Sequence, residues 1–190
     1  YDDLDFFVIQ MPTFARVDNP PSAKFGGLFK KYGEAASVDP NYLARTAQIE
    51  SGANPNAKNP NSSAGGMFQF IDSTARQYGL TNKFDPEQAT AAAARLAADN
   101  KAALTRALGR EPTNGELYLA HQQGAGGAIK LLTNPNARAA DVVGAQAVGL
   151  NGGDANMTAG QFANKWVSKF GGAPAQAAQT SGPVVSPSVT

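Results

Sequence analysis

Glu50 and Ser51 close a run that reads as helix from Pro40, directly before Gly52, and that placement gives the glutamate a distinctive chemistry. At a helix C-terminus the macrodipole is negative and an ionised carboxylate is disfavoured; apolar neighbours add a desolvation penalty of the same sign. Both effects push the Glu50 pKa up. A carboxyl that keeps its proton near neutral pH suits general-acid work, above all glycosidic cleavage, in which the leaving oxygen must gain a proton as its bond to carbon breaks. Other chemistries fare worse. His121 is the only histidine and cysteine is absent, so zinc lacks a ligand set and no metal is expected. The glycines from Gly124 to Gly127 follow a helix rather than a strand, which argues for a turn and against dinucleotide binding; no cofactor is expected.

The elements that must hold this acid are helical. Glycine and proline punctuate the chain into short segments, and no sustained period-2 run of β-branched residues argues for a sheet. Phe25, Leu28, Phe29 and Tyr32 recur at helical spacing from Ser22 to about Ala36. Asp39 caps the next helix, with Pro40 in its first turn, and Gly52 ends it. Residues 52–66, rich in Asn, Pro, Ser and Gly, have neither period and read as a structured loop. Asp72 is expected to cap a short helix closed by Gly79. Asp85 and Pro86 open a long Ala-rich helix to about Leu108. Thr113 and Glu116 form a capping box before a helix carrying Leu117, Tyr118, Ala120 and His121. Thr158 and Gln161 repeat the box before Phe162, Trp166 and Phe170, whose spacing reads as core. Asp72, Asp85 and Glu87 are read as caps or first-turn acids.

With 190 residues, 42% hydrophobic and 16% charged, the chain can build one core. The expected division is an N-terminal extension over 1–21, a single α-rich domain over 22–172 and a linker-like tail over 173–190. A net charge of +1 excludes the basic excess that draws proteins onto nucleic acid. The lack of cysteine rules out a disulfide framework. No apolar run approaches the roughly 20 residues that span a bilayer. A start at Tyr1 and a Pro, Ser, Val and Thr tail suit a piece of a larger protein.

Glu50-Ser51, the polar loop with Asn54-Pro55, Ala64-Gly65-Gly66-Met67-Phe68-Gln69-Phe70 and then Ser73-Thr74-Ala75 resemble the soluble lytic transglycosylases, relatives of goose-type lysozymes. A third element, Leu119-Ala120-His121-Gln122-Gln123-Gly124-Ala125-Gly126, stands where that family has Ala-Tyr-Asn-Ala-Gly. The resemblance covers about residues 25–130 and implies a lysozyme-like fold with a groove for the glycan strand of peptidoglycan. It implies Glu50 as the catalytic acid and base, Ser51 as its signature partner and Gln69 beside it in the groove. Met67, Phe68, Tyr118, His121 and Gln122 complete the expected substrate-binding set. Met67-Phe68 replaces Leu-Met, an apolar exchange, and the two residues either line the groove or back it. His121 takes the place of the tyrosine that bonds the catalytic carboxyl, and Gln122 that of the asparagine. His121 is therefore expected to hold Glu50 by a hydrogen bond or, when charged, to lower its pKa.

The matched motifs hold no second carboxylate of the kind that two-acid glycosidases use. The resemblance then implies transfer to the muramic acid C6 hydroxyl and a 1,6-anhydro product. The rivals are a hydrolase on the same scaffold and a silent glycan-binding or structural module. The His121-Gln122-Gln123 version is similar to that of phage virion-associated cell-wall enzymes. It implies action at the bacterial periplasm or wall, with further parts of a virion or secretion machine as partners.

Overall fold

A computed structural model describes residues 22–171; the readings of 1–21 and 173–190 lie outside them. The described residues form eight helices and no strand, in the order α1 (Ser22–Ala36), α2 (Pro40–Ser51), α3 (Asp72–Gln77), α4 (Pro86–Leu108), α5 (Asn114–Thr133), α6 (Ala139–Val143), α7 (Ala145–Leu150) and α8 (Ala159–Phe170). The expected α-rich class is the observed one.

Most of the boundaries follow from local chemistry. The Asp39 carboxylate accepts the Asn41 N–H at 2.9 Å to start α2, and Gly52, in the left-handed region at φ 63°, stops it. Asp85 caps α4 through the Gln88 N–H. Thr113 with Glu116, and Thr158 with Gln161, make both bonds of their capping boxes. Asp72 is a first-turn acid, one of its two expected readings, and not the expected cap. The cap of α3 is Ile71, which has no capping side chain, while Asp72 is already helical and its carboxylate accepts from Lys83 Nζ at 2.9 Å. The Gly124 region departs from expectation. Gly124 has φ 72° and ψ 158°, so α5 breaks there and then resumes to Thr133, where a turn was expected.

α5 is the central helix, packed on α4 and α8, while α1 lies across α2 and α4. The small faces of α4, Ala89, Ala92, Ala93, Ala94 and Ala97, are buried and allow this close approach. Phe162, Trp166 and Phe170 are buried as core residues. The loop between α2 and α3 turns back on itself through isolated bridges joining Lys58 to Gly65 and Gly65 to Phe70. Gly66 is required there: at φ 80° a Cβ would fall 1.9 Å from the Lys83 carbonyl oxygen. That turn delivers Met67, Phe68 and Gln69 against the end of α2.

Candidate functional site

Glu50 sits on the last turn of α2 with a fully buried side chain. Desolvation is the main influence on its carboxyl and raises the pKa from 4.5 to about 8. The Tyr118 hydroxyl, the Lys169 charge and the Gln122 amide oppose that rise without cancelling it.

The two carboxyl oxygens differ. The Tyr118 hydroxyl donates to Oε1 at 3.0 Å, and Gln122 Nε2 donates to the same oxygen. Gln122 Nε2 also donates to the Tyr118 hydroxyl oxygen at 3.0 Å, which closes a triangle. Burial raises the Tyr118 pKa well above its usual 10.0, so the phenol remains a donor. Oε2 is buried and has no partner. Since Oε1 accepts two hydrogen bonds, the carboxyl proton belongs on Oε2.

His121 does not take the tyrosine's place. Its Nε2 is 3.9 Å from Glu50 Oε1, too far for a hydrogen bond, and 3.3 Å from the Phe68 carbonyl oxygen. A carbonyl can only accept, so Nε2 carries the hydrogen. Burial lowers the His121 pKa from 6.5 to about 4 and keeps the ring neutral near pH 7. The ring stacks on Tyr118 with centroids 6.2 Å apart and planes 14° from parallel. The tyrosine that bonds the acid is Tyr118, one turn earlier on α5. Tyr118, His121 and Gln122 stand at i, i+3 and i+4, which puts all three on one helical face. Tyr118 was expected among the substrate-binding residues, and that spacing is the signal that could have identified it as the partner of the acid.

The loop residues support the acid from behind. Ser51 Oγ donates to the Met67 carbonyl at 2.7 Å and accepts the Asn54 N–H at 3.1 Å, tying the loop to the helix end. Met67 and Phe68 have no exposed surface, and Phe68 meets Phe29 edge to face. Ser51 stood in the expected substrate-binding set, but its bonds make it a strut; for Met67 and Phe68, expected either to line the groove or to back it, burial favours the backing. Gln69 is also buried, with a left-handed φ of 55°, and its Nε2 donates to Gly66 O at 2.8 Å and Ala57 O at 3.3 Å. Its amide holds the turn together. The strained backbone of a non-glycine residue here is compensated by those bonds.

Lys169 on α8 was missed. Its charge acts on Glu50, and burial lowers its own pKa. The two residues lie far apart in sequence, so no local pattern marks the pair. Among the described residues no three His, Cys, Asp or Glu side chains gather as a metal site would require, and no helix is long and apolar enough to cross a membrane.

The family model described as the transglycosylase SLT domain matches residues 27–143. The chain is similar to membrane-bound lytic murein transglycosylase F of Shewanella loihica, 34% identical over 94 residues, which is 50% of this chain and 19% of the relative. The Shewanella pealeana protein of the same name is 36% identical over 83 residues, 44% of this chain and 17% of the relative. The chain thus spans less than a fifth of the length of these relatives. Among solved structures, an inactive glutamate-to-glutamine mutant of the lytic transglycosylase Slt from Pseudomonas aeruginosa aligns with TM-score 0.50 at 12% identity, over 82% of this chain and 26% of that one. That likeness shows the fold, the lysozyme-like architecture that the motifs implied.

Proposed function

The chain belongs to the transglycosylase SLT domain family, and from that premise we propose that it cleaves the β-1,4 bond between N-acetylmuramic acid and N-acetylglucosamine in peptidoglycan, with Glu50 as its single acid and base. The observation that carries this reading is the setting of the carboxyl: buried, so that desolvation pushes its pKa up to about 8, with Oε1 held by Tyr118 and Gln122 and Oε2 left unpartnered.

The Oε2 proton passes to the glycosidic oxygen as its bond to the muramic acid anomeric carbon breaks. Glu50 is then a carboxylate, and the Tyr118 and Gln122 donors together with the Lys169 charge favour that form. Burial still leaves it a stronger base than an ordinary carboxylate. It takes the proton from the muramic acid C6 hydroxyl, whose oxygen attacks the anomeric carbon. The 1,6-anhydro ring closes and Glu50 regains its proton, so the step balances without water. The substrate's own N-acetyl oxygen can stabilise the anomeric centre between the two events.

Proximity favours this route over hydrolysis. The C6 hydroxyl belongs to the sugar whose bond breaks, so its attack is intramolecular, whereas water must come from solution. The Glu50 side chain has no exposed surface. The same burial requires the arriving glycan to displace whatever covers Oε2. Ser51, Gln69 and the backing pair Met67 and Phe68 keep the acid in place, and Tyr118 and Gln122, themselves buried, hold its Oε1 from α5. The His121-Gln122-Gln123 motif supports a setting in local wall penetration, as part of a virion or secretion machine.

Purified sacculi digested by the parent chain and by Glu50→Gln, with product masses, test this reading. The parent should release anhydro-muropeptides and Glu50→Gln should release none. Clearing by Glu50→Gln at the parent's rate would remove Glu50 from the mechanism, and intact walls with the parent would leave a binding module.

A further inference from the structure

α1 carries an apolar stripe that its own domain covers only in part. Phe25, Leu28 and Tyr32, at i, i+3 and i+7, are each half-buried along one side of the helix. The stripe leads into an open groove of about 550 Å³ between α1 and α4, lined by Ala35 and Ala36 of α1 and by Ala91, Ala94 and Ala98 of α4.

The lining sets the chemistry of an occupant. Its two hydroxyls are already engaged: Tyr32 donates to Glu87 at 2.5 Å and Tyr78 to Asp99 at 2.6 Å. A sugar would therefore leave most of its own hydroxyls unpaired against alanine. Arg95 is the only cation among the lining residues. It donates to the Tyr78 carbonyl through one terminal nitrogen, and the rest of its planar fork suits a carboxylate. An apolar segment with an acidic flank fits this groove.

The chain holds such a segment directly ahead of α1. Asp2, Asp3 and Asp5 are followed by Phe6, Phe7, Val8, Ile9 and Met11. The charges are complementary: residues 1–21 set Asp2, Asp3, Asp5 and Asp18 against Arg16, whereas α1 sets Lys24, Lys30 and Lys31 against Glu34. Pro20 and Pro21 disfavour helix at the residue before each, so α1 is not expected to continue through them. The reach is sufficient. Ser22 to Ala35 spans about 20 Å along α1 at roughly 1.5 Å per residue. Residues 11–21 can span up to about 33 Å at roughly 3.3 Å per residue.

We propose that segment 6–11 seats in the groove between α1 and α4, with the neighbouring aspartates against Arg95, so that the N-terminal extension clamps α1 to α4. The clamp is independent of what the Glu50 site cleaves.

The protein has no cysteine, so pairs introduced into the full chain report contact without background. Val8→Cys with Ala35→Cys, in the groove, is compared with Val8→Cys with Lys30→Cys, at an exposed position nearer the start of α1. In a glutathione redox buffer the Ala35 pair should close an intramolecular disulfide about tenfold faster, although a loose tether would favour Lys30. Phe6→Asp should remove that advantage, and in the cysteine-free chain it should lower the melting temperature by about 3 °C. Equal rates for the two pairs, or a faster Lys30 pair, would overturn the proposal and leave the groove to another protein. A disulfide joining two chains would overturn it in favour of a second copy. A melting temperature untouched by Phe6→Asp would show that the segment clamps nothing.

Discussion

Replacing Glu50 with Gln should change how the stability of the protein depends on pH, whether or not any substrate is present. Folding raises the Glu50 pKa from 4.5 to about 8 through burial. A folded-state pKa above the unfolded one means that the native state binds the proton more tightly. The associated stability is fully present below about pH 4.5 and is lost as pH rises through about 8. At 1.36 kcal/mol per unit, this amounts to roughly 4–5 kcal/mol. His121 has the opposite sign. Burial lowers its pKa from 6.5 to about 4, so its contribution is present above about 6.5 and is lost as pH falls toward 4. Comparison with Glu50→Gln cancels that term, because both proteins keep His121. Urea unfolding followed by circular dichroism at pH 5, 7 and 9 reads the difference. The unfolding free energy of Glu50→Gln should gain several kcal/mol on the parent between pH 5 and 9, a relative midpoint shift of about 2 M urea. Parallel pH profiles for the two proteins would refute the claim that burial keeps this carboxyl protonated.

Tyr118→Phe removes a donor that favours the carboxylate, so the alkaline limb of the pH–rate profile should move up by about one unit or more. His121→Phe should leave that limb in place, because the ring is neutral there, while the Phe68 carbonyl, left without its donor, costs about 1–3 kcal/mol in chemical denaturation. Arg110→Ala leaves the fully buried Glu116 without the cation whose Nη1 and Nη2 each donate to it at 2.8 Å; thermal or urea unfolding should show a loss of about 3–5 kcal/mol with the pH–rate profile unchanged.

Helix boundaries were legible where a side chain closes its own terminus. Asp39, Asp85, Thr113 and Thr158 each act within three residues, so their spacing alone reports them. Asp72 looked the same but answers to Lys83, eleven residues on, a partner that only the folded loop supplies. The short α6 and α7 went unread because neither has a capping side chain and five or six residues carry too little periodicity. At the site, Glu50 and its raised pKa followed from the helix end and the motif, although burial rather than the helix dipole proves to be the main cause. His121 was misassigned because a motif laid residue on residue ignores the turn before it. Three residues earlier, Tyr118 shares the helical face that looks at Glu50 and has the hydroxyl that reaches it. Lys169 was invisible because α8 meets the acid only through tertiary packing.

Digestion of sacculi in ¹⁸O-enriched water tests most directly whether Glu50 delivers the glycan to its own C6 hydroxyl. Muropeptides should end in 1,6-anhydro-muramic acid without the heavy isotope, and Glu50→Gln should release neither labelled nor unlabelled ends. Reducing-end muramic acid carrying ¹⁸O as the main product of the parent chain would contradict the account and make the protein a hydrolase.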